Sequence, residues 1–137
     1  MIPVKTENKT KLSIPIALLP AGFPSPADDY IDKGLDLNDL LIKHPAATYF
    51  VRVEGDSMID AGISEGDILI VDRAVEPKNN SIVIAVLNNE FTVKRIRFFK
   101  NKIQLIPENK IYSIIEVDEN QEFEIWGTVI NVIKQLD

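Results

Sequence analysis

The chain has 137 residues, enough for one compact domain and little beyond it. It has no cysteine and a single histidine, His44, which excludes disulfides, thiolate zinc sites and cysteine nucleophiles and leaves a Ser-His-Asp triad or a multi-histidine metal centre hard to build. A formal charge of −6 argues against extended contact with nucleic acid, because phosphate binding needs concentrated positive charge, although a local basic patch stays open.

Residues 1–11 are polar and read as an irregular arm. No targeting segment and no apolar run long enough for a bilayer is evident, so a soluble cytoplasmic protein is expected. Pro15, Pro20, Gly22, Pro24, Pro26 and Gly34 follow, each proline fixing its own φ and constraining its predecessor, which makes continuous helix improbable. Such a segment can lie extended across a surface, anchored by Leu18, Leu19 and Phe23, with Ala21 and Gly22 as its smallest adjacent pair. A mobile tail ending in a proline-rich turn explains the same composition. Residues 1–35 are therefore taken as an arm and residues 36–137 as the folded domain.

Residues 36–43 predict a short helix: Asp36 can cap it, Leu37, Leu40 and Leu41 share a face, and Pro45 stops it. His44 at its exit is expected to pack or lie at the surface. From Thr48 the period changes to that of strands. Tyr49, Val51 and Val53 alternate with Phe50, Arg52 and Glu54 up to Gly55, and residues 57–61 can form one helical turn before Gly62. Residues 66–72 are nearly all apolar and read as a central strand. Residues 81–87 and 90–98 flank Asn88-Asn89, a pair that tolerates the positive φ angles of a tight hairpin. Strands are also expected over 102–106, 112–117 and 123–133, with Gly127 at a bulge or bend. The sum is a mainly β domain with curved, mixed or barrel-like sheets, one short helix and an extended N-terminal arm.

Within this frame the chemistry-bearing candidates are Ser57, in Gly55-Asp-Ser57-Met-Ile-Asp60, and Lys94, in Phe91-Thr-Val-Lys94-Arg95. A serine hydroxyl becomes a nucleophile only beside a base, with donors aimed at the oxygen that turns negative during acyl transfer. With no cysteine and one poorly placed histidine, lysine is the base that remains. A lysine ordinarily titrates near about 10.4, and bringing it to about 7 takes roughly 4.6 kcal/mol of differential solvation and interaction. That demand selects a buried lysine. Strand periodicity puts Lys94 on one face with Thr92, Ile96 and Phe98, while Arg95 and Arg97 alternate toward water. Thr92 can orient the amine, and the backbone amides of Asp56 and Ser57 can converge on an oxyanion. The same residues also fit a bland description. Gly-Asp-Ser is a common turn in which Asp56 or Ser57 caps a helix, and a strand lysine can simply snorkel to water. Asp60, Asp67 and Asp72 read as turn residues and not as metal ligands, and no cofactor is expected.

The motifs taken together resemble the LexA-like serine peptidase family (peptidase S24), in its UmuD-like branch. The resemblance rests on Ala21-Gly-Phe-Pro-Ser-Pro-Ala-Asp-Asp-Tyr30, His44-Pro-Ala-Ala-Thr-Tyr-Phe50, Gly55-Asp-Ser-Met-Ile-Asp60, Gly66-Asp-Ile-Leu-Ile-Val-Asp72 and Glu90-Phe-Thr-Val-Lys94. It implies Ser57 as nucleophile, Lys94 as general base and Ala21–Gly22 as the bond the protein cuts in itself. It further implies a homodimer stimulated by the RecA–single-stranded-DNA filament. The trimmed product would join the UmuC subunit in an error-prone translesion polymerase, and other replication polymerase subunits are conceivable contacts. Only residues 1–21 precede the bond, which disfavours the DNA-binding domain of a repressor. A noncatalytic adaptor of a repair or polymerase complex is the alternative.

Overall fold

The computed structural model describes residues 4–5, 13–17 and 31–137. Ten strands are found among them: β1 (Val4–Lys5), β2 (Ser13–Ala17), β3 (Ile31–Asp36), β4 (Thr48–Arg52), β5 (Ile68–Asp72), β6 (Ile82–Leu87), β7 (Glu90–Phe99), β8 (Lys102–Ile106), β9 (Ile115–Glu116) and β10 (Phe123–Ile133). Eight of them form one sheet in the order β1-β4-β5-β10-β6-β7-β8-β9, and β2 pairs with β3 separately. Every pairing is antiparallel. The expected mainly β domain is therefore found. Ala21–Gly22, with Leu18, Leu19 and Phe23, lies outside the described residues.

Local chemistry accounts for most of the turns. Asn88 and Asn89 take φ of 50° and 67°, the mirror-image turn whose twist matches a hairpin between β6 and β7. Lys100 and Asn101, at 48° and 61°, make a second such turn between β7 and β8, where lysine gives little sequence signal. The predicted helix is shorter than expected. α1 spans Leu37–Leu41, capped by Asp36 accepting from the Asn38 amide at 2.9 Å, and Ile42 is already extended, so Lys43 falls outside it. None of its residues is buried and Leu40 is 49% exposed, so it adds little to the core. The strand expected over 112–117 shrinks to Ile115–Glu116, because Tyr112 turns away to a partner described below.

β5 is a central strand, as its apolar run predicts, lying between β4 and β10. Alternation then sends side chains into two cores. Val51, Val53, Met58, Ile63, Leu69, Val71, Ile84 and Val93 form one, and Val83, Ala85, Ile96 and Leu105 the other. Each fully buried Leu, Ile or Val contributes on the order of 1.5–3 kcal/mol. Because both sides of the sheet are covered here, Val93 is buried as well as Lys94 and Ile96. Phe98 departs from the predicted buried face: near the Lys100–Asn101 turn it is 39% exposed.

Gly127 sits where the β10 register shifts, as the sequence predicts for a bulge. A Cβ there would meet Val71 Cγ1 at 2.6 Å and Arg73 Cγ at 3.3 Å. Gly127→Ala is expected to destabilise the fold by about 1–3 kcal/mol. Equilibrium denaturation is the check, and an unchanged midpoint would show that the β5–β10 contact yields freely.

Candidate active site

Lys94 stands on β7 opposite Val83 and is 8% exposed. Its amine lies 2.7 Å from Thr92 Oγ1, 3.0 Å from the Val93 carbonyl and 3.0 Å from Ser57 Oγ. Burial pushes the amine below the ordinary lysine range. No carboxylate pairs with it among the described residues, so no opposite charge offsets the loss of solvation of its charged form. The amine donates to all three, which satisfies its charged form. The Val93 carbonyl can only accept, so loss of one proton with the Val93 and Thr92 bonds kept would turn the nitrogen lone pair toward the Ser57 hydroxyl. Thr92 thus has the contact that its position two residues before Lys94, on the same face, makes possible.

Ser57 reaches this amine from far away in the sheet. It follows β4, and β5, β10 and β6 stand between β4 and β7. Four strand spacings in a flat sheet amount to about 19 Å, so no ladder sets the distance between the two groups. The segment after β4 crosses that gap as a loop. Gly55 enters it at a φ of 81°, in the left-handed region that favours glycine. Met58 and Ile63 bury their side chains, at 2% and 1% exposure. The helical turn predicted from Ser57 is a short 310 turn at Ile59–Ala61, closed by Gly62 at a φ of 78°. Val53 and Gly66 close the base of the loop, with the Val53 amide donating to Asp67 O at 2.9 Å and the Gly66 amide to Val53 O at 3.0 Å.

A cleft of about 150 Å³ opens beside the serine, with Val53, Gly55, Met58, Phe91 and Val93 in its walls. Phe91 is braced edge-on by Trp126 at 5.8 Å between ring centres. Trp126 in turn meets Tyr49 at 4.9 Å and carries the Arg73 guanidinium over its ring at 4.5 Å. Glu54 and Thr92 line the cleft as well, so it is of mixed polarity, and the low exposure of Lys94 itself is what its depressed titration requires.

The segment between β8 and β9 lies against the serine loop. Asn109 Nδ2 donates to Asp56 O at 2.9 Å, the Tyr112 hydroxyl donates to Asp56 Oδ1 at 2.5 Å, and the Asp60 amide donates to Glu108 O at 2.8 Å. Glu108 also holds Arg95 Nε at 2.6 Å. Arg95 is thus tied to a carboxylate and only 28% exposed, where alternation alone points it to water. None of Glu108, Asn109 and Tyr112 stands out in the sequence, because polar residues between two strands carry no signal of what they touch.

The other titratable candidates lie elsewhere. His44 Nδ1 sits 2.6 Å from Oδ2 of the wholly buried Asp72, whose other oxygen accepts from the Ala74 amide at 2.8 Å. Asp67 accepts from the Ser64 amide at 2.8 Å and from Lys134 at 2.6 Å. These are the turn and packing roles expected of them. Among the described residues no cluster of three potential metal ligands occurs, and no helix is long and apolar enough to cross a membrane.

Comparison with known proteins agrees with this arrangement. Residues 15–130 match the family described as Peptidase S24-like. Protein MucA of Salmonella typhimurium is 46% identical over 120 residues, covering 85% of this chain and 82% of that protein. Protein SamA of the same species is 46% identical over 118 residues, covering 86% and 84%. The LexA repressor of Bordetella petrii is 43% identical over 116 residues, 83% of this chain but 50% of the repressor. A mainly antiparallel domain that closes a serine on a buried lysine, matched over most of its length, belongs to the Peptidase S24-like family of LexA-like serine peptidases, in its UmuD-like branch.

Proposed function

We propose that the chain is a self-cleaving serine endopeptidase of the SOS response, with Ser57 as nucleophile and Lys94 as general base. The contact of 3.0 Å between a buried, depressed amine and the serine hydroxyl carries this proposal. Residues 1–35 act as an arm that presents Ala21–Gly22 to the cleft beside Ser57, and a cleft of about 150 Å³ suits side chains that small. Lys94 takes the Ser57 proton as Oγ attacks the Ala21 carbonyl carbon. The negative oxygen is held by the backbone amides of Asp56 and Ser57. Collapse breaks the C–N bond, and the proton held by Lys94 passes to the leaving amine of Gly22. The Lys94 amine, neutral again, takes a proton from water as that water attacks the acyl carbon, and returns it to Ser57 Oγ as the acyl group leaves.

Family membership extends the proposal to partners. The protein works as a homodimer, the RecA–single-stranded-DNA filament favours its cleavage-competent arrangement, and the trimmed dimer joins UmuC in an error-prone translesion polymerase. Intact mass spectrometry after incubation with activated RecA filament, or at mildly alkaline pH, is the test. A product beginning at Gly22 is expected. Partner binding with no such product under either condition would favour a noncatalytic adaptor instead.

A further inference from the structure

The loop carrying Ser57 and the strand carrying Lys94 are joined by no ladder, so something else must set their separation. Burial of Met58 and Ile63 anchors the loop from inside. From outside, Glu108 makes one bond to each party: its carboxylate holds Arg95, the residue after Lys94, and its carbonyl accepts the Asp60 amide three residues after Ser57. Asn109 and Tyr112 then grip Asp56 by its carbonyl and its carboxylate.

The grip on the Asp56 carbonyl has a specific consequence. Asp56 O and the Ser57 N–H belong to one peptide group, and no cis peptide occurs among the described residues. In a trans peptide the two point in opposite directions. With Asp56 O taken by Asn109 Nδ2 at 2.9 Å and by the Ile59 amide at 3.3 Å, the direction of the Ser57 N–H is set. Rotation of that peptide would turn the N–H away and put a carbonyl in its place.

We propose that Glu108, Asn109 and Tyr112 form a clasp that positions the serine loop against the Lys94 strand and orients the Ser57 amide as an oxyanion donor. The clasp rests on the assignment of Ser57 and Lys94 made above. Its members are positioning residues and touch no reacting atom. The Asp56 carboxylate raises the Tyr112 phenol above its ordinary value by accepting its hydrogen bond. The phenol thus keeps its donor proton to higher pH than a free tyrosine would.

Self-cleavage rate against pH, measured for the full chain as Asn109→Asp and as Tyr112→Phe, is the test. Both substitutions are nearly isosteric; Tyr112→Phe removes only a donor, whereas Asn109→Asp removes the donor and sets a carboxylate against the Asp56 carbonyl it held. For Asn109→Asp the alkaline plateau is expected to fall about tenfold to a hundredfold, since orientation of one oxyanion donor is lost. For Tyr112→Phe a smaller fall in the same direction is expected. The pH midpoint should not move in Tyr112→Phe, because the burial of Lys94 is untouched and no charge is added, while the carboxylate of Asn109→Asp can only raise it. A merely structural role would lower the melting temperature and leave the plateau in place. Plateaus within about twofold of the parent protein in both variants would overturn the clasp. If Asn109→Asp does not fold, Tyr112→Phe decides alone by the same criterion. Ser57→Ala separates the two levels: a silent serine variant beside unimpaired clasp variants removes the clasp only, whereas a serine variant that cleaves at the parent rate removes the dyad and the clasp with it.

Discussion

Ser57→Ala is expected to lower formation of the Gly22-terminated product by about 10⁴-fold or more while the protein stays folded. The hydroxyl is small, its removal leaves the buried Met58 in place, and a methyl group fits wherever the hydroxyl did. No cysteine is available to take the place of the serine. Losses of this size follow removal of the nucleophile in other serine peptidases, because residual rate comes only from binding and oxyanion stabilisation. Far-ultraviolet circular dichroism fixes the folded state and mass spectrometry the product. Cleavage at the parent rate by a folded Ser57→Ala protein would end the assignment.

The second large effect belongs to Lys94. Burial lowers its titration below the ordinary lysine value, so the self-cleavage rate should rise about tenfold per pH unit up to that lowered value and level off above it. Lys94→Arg keeps the charge but cannot give up its proton in water, so cleavage should fall about 10³-fold at every pH, with no alkaline recovery. Recovery of the arginine variant at high pH would reject the base role. Stability should also rise with pH. Below the folded value both folded and unfolded chains carry the proton, and the folded protein bears the full penalty of a buried charge. As pH rises from there toward the ordinary lysine value, the unfolded chain holds more protons and stability increases. Lys94→Met removes the penalty, and about 1 kcal/mol of added stability is expected near pH 7, with the pH dependence flattened. Chemical denaturation at several pH values reads both effects. A variant less stable than the parent at neutral pH would mean that the bonds to Thr92 and Val93 outweigh the desolvation.

Much of the fold is written in short-range pattern. Alternation from Thr48 marks β4, the apolar run marks β5, and Asn88-Asn89 marks the hairpin between β6 and β7, because each depends on residues within a few positions of one another. The burial of Lys94 is legible for the same reason: Thr92, Lys94 and Ile96 share a face by the pleat alone. Phe98 shows where this fails, since a pleat says which side a residue takes and not how far the covering layer extends. β3 is missed because Lys33 interrupts the apolar side that Ile31 and Leu35 share and Gly34 reads as a turn residue, and its partner β2 carries a proline that argues against a strand.

The chain's order of residues alone settles the residue types available for chemistry, the period of each strand and the faces that can be buried, since these are properties of neighbours along the backbone. The meeting of Ser57 with Lys94, and of Asp56 with Asn109 and Tyr112, is decided only by the folded arrangement. Those groups are 37 to 56 positions apart, on a loop, a strand and a connector that share no ladder. Their distances depend on how the loop after β4 and the connector between β8 and β9 pack against the sheet, a quantity that no local propensity encodes.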